Sequence, residues 1–191
     1  MEEAYKVSTK LAADIMASGD RFDMVIAIAR GGFPPSRFIC DFLNIEILSS
    51  VQINHYKSGG REEKIEVIDK IGRSIQNRNV LLIDDVNDTG DTLKLAHDYL
   101  SRLNPAILKS GVLHEKSNTS FTSDFKGKIQ HEWEWLIYQW AAAEDVHEFL
   151  IKQGMQNADV NTARDFLAQE YNLSIDDRLM EQILQMKENY S

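Results

Sequence analysis

The sequence predicts an α/β fold with a central, mostly parallel sheet flanked by helices, followed by a C-terminal helical extension. Three observations lead there. Met24 to Ala29 (MVIAIA) and Val80 to Ile83 (VLLI) are short continuous apolar runs, the composition of strands covered on both faces. Segments with apolar residues at helical spacing lie between such runs, and that alternation favours parallel pairing through right-handed crossovers. From about Ala143 onward the pattern is helical only.

The elements follow in order. Ala4, Val7, Leu11, Ile15 and Met16 form one face of a helix over Glu3 to Ser18, which Gly19-Asp20 closes. Met24 to Ala29 is the first strand, broken by Arg30-Gly31-Gly32. Pro34 and Pro35 suit the first turn of a helix that Ser36 to Leu43 completes. Ile45 to Ile53 reads as another strand. Asn54 to Arg78 is polar and mixed in charge, with Gly59-Gly60 at its centre: a loop, a hairpin, or a mobile lid carrying Lys57, Arg61 and Lys64.

Asn79 to Asp84 is the next buried strand, and Leu93, Ala96, Leu100 and Leu103 mark a helix over Thr92 to Leu103. Pro105 to Leu113 and Trp133 to Trp140 read as further strands. The extension divides into helices over Ala143 to Gln153, Val160 to Tyr171 and Ile175 to Lys187, with Ser174 as N-cap of the last. The domain boundary is therefore expected after residue 145, with residues 146–191 as a packing or assembly appendage.

Composition narrows the function classes. A net charge of -9 argues against a nucleic-acid binder, which would cluster Lys and Arg on one face. Cys40 is the only cysteine, so no intrachain disulfide and no cysteine-based metal cluster can form. The first ten residues, MEEAYKVSTK, lack the profile of a signal peptide, and no apolar run approaches a membrane span. A soluble, cytoplasmic protein is expected. His55, His97, His114, His131 and His147 show no metal-ligand spacing and are assigned no catalysis.

The chemistry concentrates in Val80 to Thr92 (VLLIDDVNDTGDT). A buried strand delivers Asp84 and Asp85 to the carboxyl edge of the sheet, where ligands bind in open α/β folds. The turn through Asp88, Thr89 and Gly90 then enters a helix at Asp91-Thr92, so free N–H groups and the positive helix end converge on one place. Two threonine hydroxyls add donors, and the whole suits a phosphate dianion. Adjacent carboxylates persist where a cation or hydroxyl donors share the site. A sugar with vicinal hydroxyls and Mg²⁺ would meet that need.

These thirteen residues resemble the phosphoribosyl pyrophosphate (PRPP) motif of the type I phosphoribosyltransferases. Ala27 to Pro35 (AIARGGFPP) is similar to that family's pyrophosphate loop, in a form nearest the xanthine-guanine and archaeal hypoxanthine-guanine branch. Lys116 and Trp135 to Trp140 resemble that branch's purine pocket. The likeness spans about Val7 to Asp145.

The resemblance implies the type I fold, purine salvage from PRPP with nucleotide and pyrophosphate as products, Mg²⁺ as cofactor, and a homo-oligomer, dimer or tetramer, with neither nucleic acid nor membrane as partner. It implies that Asp84 and Asp85 face the ribose hydroxyls directly or through Mg²⁺, and that Asp88 to Thr92 wrap the 5-phosphate. Asp88 would exchange a proton with purine N7. Ala29, Arg30 and Gly31 would hold pyrophosphate in a loop with a non-proline cis peptide. Lys116 would donate to the purine 6-oxygen, while Trp135 and Leu136 cover the base.

Asp91 departs from the family, standing where Gly, Ala, Ser or Lys is usual, and Gln139 stands where Pro is common. Two alternatives stay open: transfer to adenine, orotate or uracil, and a PRPP-sensing regulator without catalysis. An ammonium at position 116 favours an oxo group, because it can only donate.

Overall fold

In the computed structural model, which describes residues 2–58, 62–131 and 136–186, β1 (Met24–Ala29) and β4 (Asn79–Asn87) lie side by side and parallel at the centre of a six-stranded sheet. The order is β3-β2-β1-β4-β5-β6, with β2 (Leu48–Ser58), β3 (Glu62–Asp69), β5 (Ile107–Lys116) and β6 (Phe125–Gln130). All pairings are parallel except β2 with β3, an antiparallel hairpin at one edge. The chain fills one side of β1 with β2 and β3, then crosses back to place β4 on the other side. The sheet therefore reverses its order between β1 and β4, and the carboxyl ends of those two strands flank a crevice.

Alternation along the strands divides the core. Met24, Ile26 and Ile28 of β1 and Val80 and Leu82 of β4 pack with Leu93, Ala96 and Leu100 of α3 (Asp91–Ser101). On β4 the intervening Ile83 meets the other side: a Cβ added at Gly111 would touch both Ile83 and Leu11 of α1 (Glu2–Ala17). With α2 (Phe33–Leu43) packed on α1, both faces of the central strands are covered, and this is why their sequences run apolar without alternation. Burying one such Leu or Ile side chain contributes roughly 1.5–3 kcal/mol.

The Asn54 to Arg78 segment is mainly hairpin, one of the readings its sequence offered, with β2 running on to Ser58 and β3 returning through Asp69. Other sequence expectations need correction. Side chains at 55–64, including Lys57 and Lys64, lie outside the described set, as does Arg61 entirely. Strand β4 runs three residues beyond Asp84, since Val86 and Asn87 still pair with His114 and Glu115 of β5. The last paired strand is β6, which was not anticipated, and residues 136–140 hold no strand. Trp133, Trp135 and their neighbours 132 and 134 are outside the described residues. β6 reads poorly as a strand because Lys126 and Lys128 interrupt its apolar positions; Lys126 is spent on an ion pair with Glu115.

The chain divides into two compact units, Met1–Trp135 and Leu136–Ser191. The second unit comprises α4 (Ala142–Lys152), α5 (Val160–Tyr171) and α6 (Asp177–Leu184) around Val146, Phe149, Leu150, Ala163, Leu167, Met180 and Ile183. Phe149 stacks on Tyr171 at 4.5 Å between ring centroids. The N-cap of α6 is Asp176, whose carboxylate accepts the Leu179 N–H at 3.0 Å, so the helix starts later than Ser174 would have started it. Among the described residues, no helix is long and apolar enough to cross a membrane.

Candidate active site

The crevice between β1 and β4 collects the residues singled out in the sequence. At the end of β1 the Ala29–Arg30 peptide is cis, as the resemblance implied. Gly31 follows, so close to β4 that a Cβ there would lie 2.5–2.7 Å from the Asp85 carboxyl group. Only a glycine lets the loop and that carboxylate meet. Gly32 is equally confined, against the Ile28 and Ile83 carbonyls, and its own carbonyl accepts the Ser36 N–H at 3.0 Å as α2 begins.

Asp84 and Asp85 are 8% and 9% exposed at the end of the buried run. The Asp84 carboxylate accepts the Asp85 N–H at 2.9 Å. Burial first, and then the neighbouring Asp85 charge, hold the Asp84 carboxyl well above the usual carboxylate range. A carboxyl pair in that condition gains from a cation placed against it. Among the described residues, no group of three or more His, Cys, Asp or Glu could hold a metal through protein ligands alone. One or two carboxylates completed by substrate oxygens is, however, a common arrangement for Mg²⁺, and this pair fits it.

Beyond Asn87 the chain turns through Asp88, Thr89 and Gly90 into α3, whose N-cap is Gly90 at φ 97°. That left-handed conformation favours glycine, and a Cβ would strike the Phe121 N–H group. The Asp91 side chain engages its own turn, its carboxylate accepting the Thr89 hydroxyl at 2.8 Å. This is how the turn accommodates an acid where Gly, Ala, Ser or Lys is usual. Thr92 lies in the first turn of α3 and Arg30 is exposed at the crevice rim.

Lys116 ends β5, and its ammonium pairs with the Asp88 carboxylate at 2.7 Å. The structure thus joins the residue implicated in base recognition to the one implicated in proton transfer. Leu136 is half-buried at the start of the helical unit, and Trp135 lies outside the described residues. Within that unit Tyr138 stacks on Trp140 at 4.7 Å, which gives Trp140 a packing partner.

Sequence reasoning missed a layer beneath the site. Glu115 is 4% exposed, and one of its oxygens accepts the Ser123 N–H and hydroxyl (2.7 and 2.6 Å) and the Asn87 amide (3.1 Å). Its other oxygen pairs with Lys126 at 2.7 Å. Asn87 also donates to the Phe121 carbonyl at 2.8 Å. Next along, Ser120 donates both its N–H and its hydroxyl to the Thr89 carbonyl. Nothing in the Ser117 to Ser123 string (SNTSFTS) distinguishes it from an ordinary polar loop, and the only hint is Glu115, an acid inside a strand next to Lys116.

A turn at the start of α3 and a glycine loop at the end of β1 thus flank the switch point, with a buried carboxylate pair at the end of the central run. The chain belongs to the phosphoribosyl transferase domain family, which matches residues 1–145. It is 23% identical over 139 residues to the xanthine-guanine phosphoribosyltransferase of Idiomarina loihiensis, covering 73% of this chain and 83% of that protein. The hypoxanthine-guanine phosphoribosyltransferase of Aquifex aeolicus is 30% identical over 112 residues, 54% of this chain and 61% of the relative. The crystal structure of the purine phosphoribosyltransferase from Pyrococcus horikoshii Ot3 superimposes with a TM-score of 0.61 at 25% identity, covering 72% of this chain and 93% of that one.

Proposed function

We propose that this protein transfers the phosphoribosyl group of PRPP to a 6-oxopurine (guanine, xanthine or hypoxanthine), forming the nucleoside 5-monophosphate and pyrophosphate. The observation that carries this reading is the Lys116–Asp88 pair, 2.7 Å apart beside the phosphate turn. It sets a donor for an exocyclic oxygen next to an acceptor for a ring proton, and the purine-specific names of the relatives support the same substrate class.

The turn from Asp88 to Thr92 would seat the 5-phosphate on backbone N–H groups at the start of α3. Ala29, Arg30 and Gly31 would seat the pyrophosphate across the crevice. As the purine nitrogen bonds to ribose C1, the bond from C1 to the pyrophosphate oxygen breaks and its electron pair leaves with pyrophosphate. Positive charge builds on the ribose, as in glycoside cleavage. Asp88 accepts the proton released at purine N7, and returns it in the reverse direction. Asp84 and Asp85 would hold Mg²⁺, which would supply neutralisation of charge on the departing pyrophosphate. Most of the rate then comes from alignment of two substrates and from oriented N–H dipoles.

The test is pyrophosphate release with PRPP, Mg²⁺ and a panel of bases. Release with guanine, xanthine or hypoxanthine is expected. Release only with adenine, orotate or uracil would reassign the base, and PRPP binding without release from any base would favour a sensing role.

A further inference from the structure

We infer that Ser120 is a positioning residue for the 5-phosphate, acting through the Thr89–Gly90 peptide; this rests on the PRPP site proposed above. The Thr89 carbonyl accepts two hydrogen bonds from one residue, the Ser120 N–H at 2.9 Å and the Ser120 hydroxyl at 2.7 Å. A peptide group is planar, and in a trans peptide the N–H points opposite to the C=O. Among the described residues, the only cis peptide is Ala29–Arg30. Pinning the Thr89 oxygen toward Ser120 therefore aims the Gly90 N–H the other way, away from the Ser120 segment.

The clamp matters because residue 90 is glycine. Glycine adopts φ of either sign with little penalty, so the Thr89–Gly90 peptide has more than one accessible orientation, and only one of them presents its N–H to a phosphate. The observed φ of 97° is one side of that choice. In water the flipped form would be open to the free turn. Ser120 removes it by satisfying the carbonyl in a single direction.

Ser120 can do this because its own segment is tied down on both sides. The Thr119 N–H donates to the Lys116 carbonyl at 3.1 Å. Asn87 holds the Phe121 carbonyl, and Glu115 holds Ser123 through two bonds. The Phe121 ring lies 5.5 Å from that of His97 on α3, the helix the turn leads into. The segment bridges β5 to the start of α3, and a serine at 120 reaches the one carbonyl of the turn that lies beside the glycine.

Steady-state kinetics of the full chain test the inference, with PRPP and guanine varied in turn, alongside calorimetric binding of ribose 5-phosphate, which needs neither base nor metal. Ser120→Ala keeps the N–H bond and loses the hydroxyl bond. It is expected to raise the KM for PRPP and the Kd for ribose 5-phosphate roughly fivefold, the effect of one modest hydrogen bond. The KM for guanine and kcat should stay within about twofold, and Ser120→Thr should restore both phosphate-dependent constants. Equal constants for parent and Ser120→Ala, or equal losses for Ser120→Ala and Ser120→Thr, would overturn it. So would a matching rise in the KM for guanine, which would mark a general loosening. If the parent transfers to no base, the catalytic reading fails by itself, and the ribose 5-phosphate titrations still decide the role of Ser120. Should Ser120→Ala not fold, Ser120→Cys, which keeps the size with a weaker donor, is expected to give the same split.

Discussion

The Lys116 ammonium lies 2.7 Å from the Asp88 carboxylate, with the lysine side chain 12% exposed and that of the aspartate 54% exposed. The two partners are therefore unequal: the lysine is enclosed, and the aspartate opens to the crevice. Lys116→Gln is expected to raise the KM for guanine at least about tenfold while leaving the KM for PRPP near the parent value, because one charge-assisted hydrogen bond is worth roughly 1.5–3 kcal/mol. Asp88→Asn is expected to lower kcat by about 10²–10⁴-fold. Guanine and PRPP titrations of initial rate separate the two effects, and a shared fall in kcat alone would remove Lys116 from base recognition.

Gly31 meets Asp85 more closely than any side chain permits, so Gly31→Ala must displace the carboxylate or the loop. The cost should appear in the chemistry. A loss on the order of 10²-fold in kcat/KM for PRPP is expected, the usual consequence of moving a site group by about 1 Å. A thermal melt should show little change, since the carboxylate can swing at the crevice edge. Normal kinetics in Gly31→Ala would separate this loop from PRPP.

Glu115 gives a pH signature. Burial alone would raise its carboxyl, but the Lys126 ammonium, the two Ser123 donors and the Asn87 amide outweigh burial and hold it below its ordinary value of 4.5. A carboxyl held down in the folded chain adds stability above the unfolded value, and that stability is lost as the pH falls through the folded value. Glu115→Gln should thus cost about 1–3 kcal/mol at pH 7. The gap to the parent should close as the pH drops below about 4.5. Denaturant titrations at pH 7, 5, 4 and 3 measure it, and a gap that stays constant down to pH 3 would mean that the charge does not matter.

In the helical unit, the cap on α6 belongs to Asp176 and not to Ser174. Asp176→Ala should therefore destabilise α6 by about 1 kcal/mol and Ser174→Ala by much less. Amide hydrogen exchange at Leu179 and Met180 reads this directly, and a larger effect from Ser174→Ala would restore the earlier helix start.

The central sheet was legible because its strands are buried on both faces, so MVIAIA and VLLI carry their environment in their composition. The breaks at Arg30-Gly31-Gly32 and at Asp88-Thr89-Gly90 were legible too, whereas the close approach of Gly31 to Asp85 and the left-handed φ of Gly90 came only with the structure. Strand β6 was not legible, since one of its lysines is neutralised by Glu115, a partner eleven residues earlier in the chain. The hydroxyl-rich loop failed for a related reason. What Ser120 does depends on a carbonyl, and main-chain acceptors leave no trace in side-chain identity. Asp176 and Ser174 are both good caps by residue type, and only the path of the chain decides between them.

The anchoring of Glu115 has one more effect. Consecutive residues of a strand face opposite ways, so a slip of β5 by one position would turn each of its side chains to the other face. A slip one way would bring Lys116 to the donors that now hold Glu115, and a slip the other way would bring Glu115 toward Asp88. Either chain could still form its sheet, yet it would lose the Lys116–Asp88 pair. By tying Glu115 to β4, β6 and the loop between β5 and β6, the fold fixes the register that sets Lys116 against Asp88.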